Sequence, residues 1–371
     1  MNVPFLDVGA TYRELQPELD GAFRRVMESG RFILGDEVQA FEDAFARSCD
    51  ATHCVGVANG LDALHLILRA SGIGPGDEVL VPANTFVATW LAVSYAGARP
   101  VPVEPDPATC NMSPATLEAS ITPKTAAVMP VHLYGQPADM DPIIEIGRKH
   151  HLLVVEDAAQ AHGARYKGRP AGGLSGAAGF SFYPGKNLGA YGDGGAVVTD
   201  DAVLAEKVRA LANYGSRSKY DHQLAGFNSR LDELQAAFLR VRLAHLPDWN
   251  ARRCTLAAHY LKGLAGLPDL TLPSVPSWAE PSWHIFAIRH PQRDRLQEHL
   301  TQAGIGTLIH YPIPPHLSGA YADSGWKAGD FPISEELSRT QLSLPMGPHV
   351  SEEQAQVVID QVRIALQAIA A

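Results

Sequence analysis

Between Cys54 and Asp200 the chain repeats one pattern: a short, nearly all-apolar run, then a longer stretch with the spacing of an amphipathic helix. The runs are Cys54-Val-Gly-Val, Glu78-Val-Leu-Val-Pro, Pro100-Val-Pro-Val, Ala126-Ala-Val-Met-Pro-Val, Leu152-Leu-Val-Val, Ala178-Gly-Phe-Ser-Phe and Ala196-Val-Val-Thr. They are too short for helices and are bounded by Gly, Pro and Asp. They therefore read as strands buried on both faces, as in a largely parallel sheet with helices on each side. Helix candidates such as Leu61 to Ala70 and Ala138 to His150 supply that cover. The pattern predicts an α/β fold with a mostly parallel central sheet.

A chain of 371 residues exceeds what one core usually organises, so a second unit is expected. Beyond the sheet, Ser229 to Leu264 has helical spacing, with Ser229 and Asp232 placed as a loose capping box and Pro247 expected to kink or split the helix. The Pro-rich stretch from Leu272 to Pro281 reads as a boundary loop. After it, Trp283 to His290 and Ile305 to His310 read as strands, and Asp294 to Ala303 and Ser351 to Ala370 as helices. The expected division is a large domain over residues 1–245 and a smaller C-terminal α/β domain over 246–371.

Charge narrows the partners. A net charge of -10 argues against nucleic acid or an anionic membrane, and no apolar run approaches spanning length. Met1-Asn-Val-Pro-Phe-Leu-Asp-Val lacks a basic segment followed by an apolar stretch, so no secretory signal and a cytoplasmic location are expected. Cys49, Cys54, Cys110 and Cys254 lack the paired spacing of ligands or a disulfide framework, so no metal is expected.

Lys186 lies in Phe180-Ser-Phe-Tyr-Pro-Gly-Lys-Asn-Leu-Gly-Ala-Tyr-Gly-Asp-Gly-Gly, among glycines that allow close backbone approach to a ligand. Upstream, Asp157 closes the run Leu152-Leu-Val-Val-Glu-Asp. An amine walled by Phe180, Phe182 and Pro184 loses proton affinity through desolvation and can attack a carbonyl. A carboxylate at a strand end can hold a pyridinium nitrogen protonated, so the pair suggests imine chemistry on pyridoxal phosphate. Gly60 and Leu61 open a helix directly after a strand, an arrangement that presents free N–H groups to a phosphate. Phe86, Gln160 and His162 also follow strands, at the sheet edge where open α/β sheets bind ligands. Read alone, Phe86 also fits a core aromatic, and Asp157 a helix cap. Two loops, Asn213 to Tyr220 and Leu308 to His316, gather cations, imidazoles and tyrosines suited to a diphosphate and a sugar or base.

Taken together, Val155-Glu-Asp-Ala-Ala-Gln-Ala-His-Gly-Ala, the Lys186 block and Asn228-Ser-Arg-Leu-Asp-Glu-Leu-Gln-Ala-Ala resemble the DegT/DnrJ/EryC1/StrS family of sugar aminotransferases, over nearly the whole chain. The resemblance implies an aspartate aminotransferase-type (fold type I) architecture working as a homodimer with shared active sites. It makes Lys186 the Schiff-base lysine, Asp157 the partner of the ring nitrogen, Gln160 the neighbour of the ring hydroxyl and Phe86 the stacking ring. Gly60, Leu61 and Ser181 would hold the phosphate, joined by Asn228 from the other subunit. Tyr183, Lys219, His310 and Tyr311 match positions that contact the sugar nucleotide.

Within the family, Phe182-Tyr-Pro-Gly-Lys-Asn-Leu-Gly with Gly192-Asp-Gly-Gly is similar to enzymes of 3-keto sugars, whereas 4-keto enzymes more often carry His-Pro and Gly-Glu-Gly-Gly. The implied reaction moves an amino group from L-glutamate, which leaves as 2-oxoglutarate, to a dTDP-3-keto-6-deoxyhexose. The cofactor would alternate between pyridoxal and pyridoxamine phosphate. Alternatives are a 4-keto nucleotide sugar, a UDP-3-keto-hexuronic acid or a keto-cyclitol as acceptor. A different class, a non-catalytic sugar-nucleotide-binding regulator, would be expected to lack the lysine or its acid.

Overall fold

In the computed structural model of the protein, residues 1–218 and 220–370 are described. The apolar runs form a seven-stranded sheet: β1 (His53–Val57), β2 (Glu78–Pro82), β3 (Arg99–Val103), β4 (Thr125–Val128), β5 (Leu153–Asp157), β6 (Ala177–Ser181) and β7 (Gly195–Thr199). Their spatial order is β1-β7-β6-β5-β4-β2-β3. Neighbours run parallel except β7, which is antiparallel to both β1 and β6.

Helices α1 (Ala10–Ser29), α2 (Asp36–Ser48), α3 (Gly60–Ala70), α4 (Val87–Tyr95), α5 (Met140–His150), α6 (Ala202–Ala212) and α7 (Glu233–Gly263) accompany the sheet. Successive strand residues point to opposite faces, so Val197 packs with Leu64, Ile67, Val81 and Trp90 on one side. Val198 packs with Phe41, Phe45, Phe180 and Phe182 on the other. Two apolar layers thus sandwich strands that have no wet face, as the continuous apolar runs predict.

At α7 the structure departs from the sequence pattern in two places. Pro247 lies inside the helix without dividing it. A mid-helix proline costs about 3 kcal/mol, but each large apolar side chain fully buried returns roughly 1.5–3 kcal/mol. Leu239, Leu246 and Trp249 all contribute, packing the helix on its neighbours. Nor does Ser229 cap this helix, which begins at Glu233 with Asp232 in the cap position and no side-chain cap bond. Ser229 Oγ instead donates to Asp62 Oδ2 at 2.6 Å and accepts from the Ala58 N–H at 3.2 Å, both beside the start of α3.

A second apolar core joins β8 (Phe286–Arg289) and β9 (Gln341–Leu344), an antiparallel pair, to α8 (Arg293–Gln302) and α10 (Glu352–Ala370), with α9 (Pro332–Thr340) leading into β9. Val3 belongs to this core, and α7 runs through position 245. The expected strand Ile305 to His310 is absent: Ile305 bridges only Val3, and Leu308 only Ser343. No helix among the described residues is long and apolar enough to cross a membrane.

Candidate active site

Asp157 is the last residue of β5 and is buried. Thr89 Oγ1 donates to its Oδ2 at 2.7 Å, and the Ala159 N–H to its Oδ1 at 3.1 Å. Thr85 Oγ1 lies 2.9 Å from Thr89 Oγ1 and continues the chain of hydroxyls. Burial pushes the Asp157 carboxyl above the ordinary carboxylate range, opposed by these bonds and by the charge of Lys186.

Beyond β6 the chain turns tightly. The Phe182 N–H donates to Gly194 O, the Ala190 N–H to Phe182 O, and the Lys186 N–H to Tyr183 O, at 2.7, 2.7 and 2.8 Å. Gly189 is required here, because a Cβ would come within 2.5 Å of Pro184 O. The turn carries Lys186 toward Asp157. Burial of its amine pushes its pKa down to about 8, and the Asp157 carboxylate pulls the other way. Nζ makes no hydrogen bond among the described residues, which leaves its lone pair free when deprotonated. The adjacent Asn187 anchors the turn through Nδ2, to Asn250 Oδ1 at 3.0 Å on α7 and to Ser282 O at 2.8 Å. His284 Nδ1 meets its Oδ1 at 3.2 Å.

Gly60 and Leu61 begin α3, where Asn59 Oδ1 accepts the Asp62 N–H at 2.8 Å and the two preceding N–H groups have no helical partner. A Cβ at Gly60 would come within 2.6 Å of Ser181 Cβ, so helix start and Ser181 are in near contact. Free donors beside a hydroxyl form a cradle for a phosphate.

Phe86 precedes α4 and is 51% exposed, so it is an aromatic face at the sheet edge and not a core residue. Its ring centroid lies 5.1 Å from that of Tyr311. Gln160 links two segments: Oε1 accepts the Tyr134 N–H at 2.6 Å, and Nε2 donates to Tyr311 Oη at 3.0 Å. Burial raises the Tyr311 phenol well above its ordinary value, keeping it neutral. His310 Nδ1 lies 2.8 Å from Ser343 Oγ, and burial with the nearby Lys186 charge pushes its pKa down to about 4. His162 is likewise pushed down to about 3, by burial first and then by Lys186.

The structure therefore brings Asp157, Lys186, Gln160, His310 and Tyr311 into one network of contacts and charges, with Phe86 against Tyr311. Tyr183 is exposed on the turn. Asn228 is exposed and bridges Asn213 within its own chain. Lys219 lies outside the described residues. Sequence reasoning missed Thr89, Tyr134 and the Asn187–Asn250–His284 anchor. Thr89 sits one helical turn past Phe86, the only signal that could have found it.

The arrangement offers a poised amine, a buried acid, an aromatic face and a phosphate cradle, which together fit pyridoxal phosphate. A profile of the DegT/DnrJ/EryC1/StrS aminotransferase family matches residues 13–363. The dTDP-3-amino-3,4,6-trideoxy-alpha-D-glucose transaminase of Streptomyces venezuelae is 57% identical over 361 residues, covering 97% of this chain and 95% of its own. The dTDP-3-amino-3,6-dideoxy-alpha-D-galactopyranose transaminase of Aneurinibacillus thermoaerophilus is 51% identical over 360 residues, covering 97% and 98%. Among solved structures, S. venezuelae DesV in complex with a ketimine intermediate superposes with a TM-score of 0.98 at 56% identity, covering 99% of each chain.

Proposed function

The chain belongs to the DegT/DnrJ/EryC1/StrS aminotransferase family, and from that premise we propose that it is a pyridoxal phosphate-dependent transaminase of dTDP-3-keto-6-deoxyhexoses. The product is the dTDP-3-amino-3,6-dideoxy sugar, with L-glutamate as donor. The observation that carries this reading is Lys186: an amine with its pKa pushed down to about 8, electrostatically coupled to the buried Asp157. The two relatives' names share dTDP, amination at C3 and a 6-deoxy sugar while differing at C4. That shared part is what we assign here.

Bound at this site, pyridoxal phosphate supplies an electron-withdrawing ring that acidifies the carbon bearing a condensed nitrogen. Asp157 holds the proton on the ring nitrogen, Gln160 orients the ring hydroxyl, and Phe86 covers one face. Gly60, Leu61 and Ser181 hold the phosphate, together with Asn228 from the second subunit of a homodimer. Lys186 Nζ carries the cofactor at rest, takes the proton from the donor Cα and later delivers one to C3 of the sugar. Tyr183, Lys219, His310 and Tyr311 contact the sugar nucleotide. In the same reading, residues 1–245 form the large cofactor-binding domain and 246–371 the small C-terminal domain.

The test is a panel of dTDP- and UDP-linked 3-keto and 4-keto sugars incubated with holoprotein and L-glutamate. We expect 2-oxoglutarate to form and NMR to locate the new amine at C3 of the dTDP 6-deoxy sugar. Amination at C4 alone overturns the acceptor assignment.

A further inference from the structure

A cavity of about 270 Å³ lies among the N-terminal segment, the Lys186 turn and α7. Lys186, Thr11, Trp249, Arg242 and Arg253 are on its wall, whereas Asp157, Phe86, Gln160 and Tyr311 are not. It is therefore a separate lobe that shares the reacting lysine. Its volume is below the roughly 300–1,000 Å³ usual for drug-sized ligands, so it suits a small molecule and not a nucleotide sugar.

The charges on this wall are unbalanced. Arg242 is buried, at 3% exposure, yet forms no hydrogen bond or ion pair among the described residues. Its guanidinium lies between the rings of Tyr191 and Trp249, 5.2 and 5.4 Å from their centroids, and its Nε is buried without a partner. Arg253 is equally buried and donates Nη1 to the carbonyls of Trp283, Met346 and His284 at 3.1, 3.3 and 3.4 Å, again with Nε unpartnered. Burial alone lowers its pKa, to about 9, with no carboxylate opposing. Asp7, the acid on the wall, is engaged by Arg13. By contrast the buried Arg293 is paired, meeting Asp294 at 2.6 Å.

Burying a cation without a counter-ion is costly, so a charge left this way faces an anion that arrives with a ligand. Lys186 lines the same cavity, so a ligand held there borders the turn that carries the reacting lysine. We propose that this cavity is a carboxylate subsite for the dicarboxylic amino donor, with Arg242 as its principal counter-ion and Arg253 adding to the positive field. The inference rests on the transamination reading and identifies which part of the chain selects the donor.

Glutarate, a dicarboxylate with no amine to transfer, is the probe. It should raise the Tm of wild-type holoprotein, and Arg242→Gln should abolish that shift while Arg242→Lys keeps part of it. In the donor half-reaction, followed by the cofactor's absorbance, Arg242→Gln should raise the half-saturating L-glutamate concentration about tenfold or more and leave the KM for keto sugar unchanged. No glutarate shift in the wild type, or an equal shift in Arg242→Gln, overturns the subsite. So does stabilisation by inorganic phosphate without any by glutarate. If Arg242→Gln does not fold, the wild-type and Arg242→Lys measurements still decide. Absence of amino transfer in the wild type would overturn the functional reading, whereas an unmoved glutarate response with transfer intact overturns only the subsite.

Discussion

At the scale of single residues the site is a problem in proton affinity. Lys186 must lose its proton to attack a carbonyl, and burial lowers its pKa to about 8 while Asp157 pulls it up. The rate at which pyridoxal phosphate develops its visible band on the apoprotein should therefore rise with pH through about 8 and level off above it. Removing the Asp157 charge removes the pull that favours the ammonium, so Asp157→Asn should move this midpoint to lower pH. A stopped-flow pH profile of both proteins checks the sign; an Asp157→Asn midpoint at higher pH would contradict the electrostatic coupling. The placement of Lys186, Asp157 and Gln160 was legible because Asp157 closes a strand and the other two follow strands, on the edge where such sheets bind ligands. Thr89 and Tyr134 were not. Thr89 meets Asp157 across 68 residues of sequence, and Tyr134 meets Gln160 across 26, through contacts that no local pattern encodes.

At the scale of elements, the strands were the most readable part. All seven apolar runs became strands of one sheet, because residues buried on both faces leave an unbroken apolar signature. Single-residue signals were weaker wherever long-range packing could override them. Pro247 stays helical because α7 is clamped along its apolar side by Leu15, Leu19 and their neighbours. Ser229 abandons its local cap for Asp62, 167 residues away, and so ties the segment holding Asn228 to the start of α3. Ile305 to His310 has strand composition but finds a partner at only two positions. Gly195 illustrates the reverse case, a residue whose need is purely spatial: its Cβ would meet Asn59 O at 2.4 Å, where β7 passes the mouth of the phosphate cradle.

At the scale of the molecule, the proposed homodimer gives Asn228 a role across the interface that its own chain does not use. Subunit mixing tests this. In a hybrid of Lys186→Ala and Asn228→Ala subunits, one site receives its lysine from one chain and its asparagine from the other. Two inactive homodimers should then regain activity on mixing, and no recovery would mean that Asn228 serves its own subunit. The sequence made the family legible through ordered blocks, but the unpaired Arg242 appeared only once α7, the Lys186 turn and the N-terminal segment enclosed one cavity. The central claim remains that the molecule is built around one lysine. It is tested most directly by reducing the pyridoxal phosphate-loaded protein with borohydride and mapping the modified peptide by mass spectrometry. The cofactor should be fixed on Lys186, and Lys186→Ala should retain none; cofactor fixed on another lysine, or a wild-type protein that fixes none, would rule out that role for Lys186.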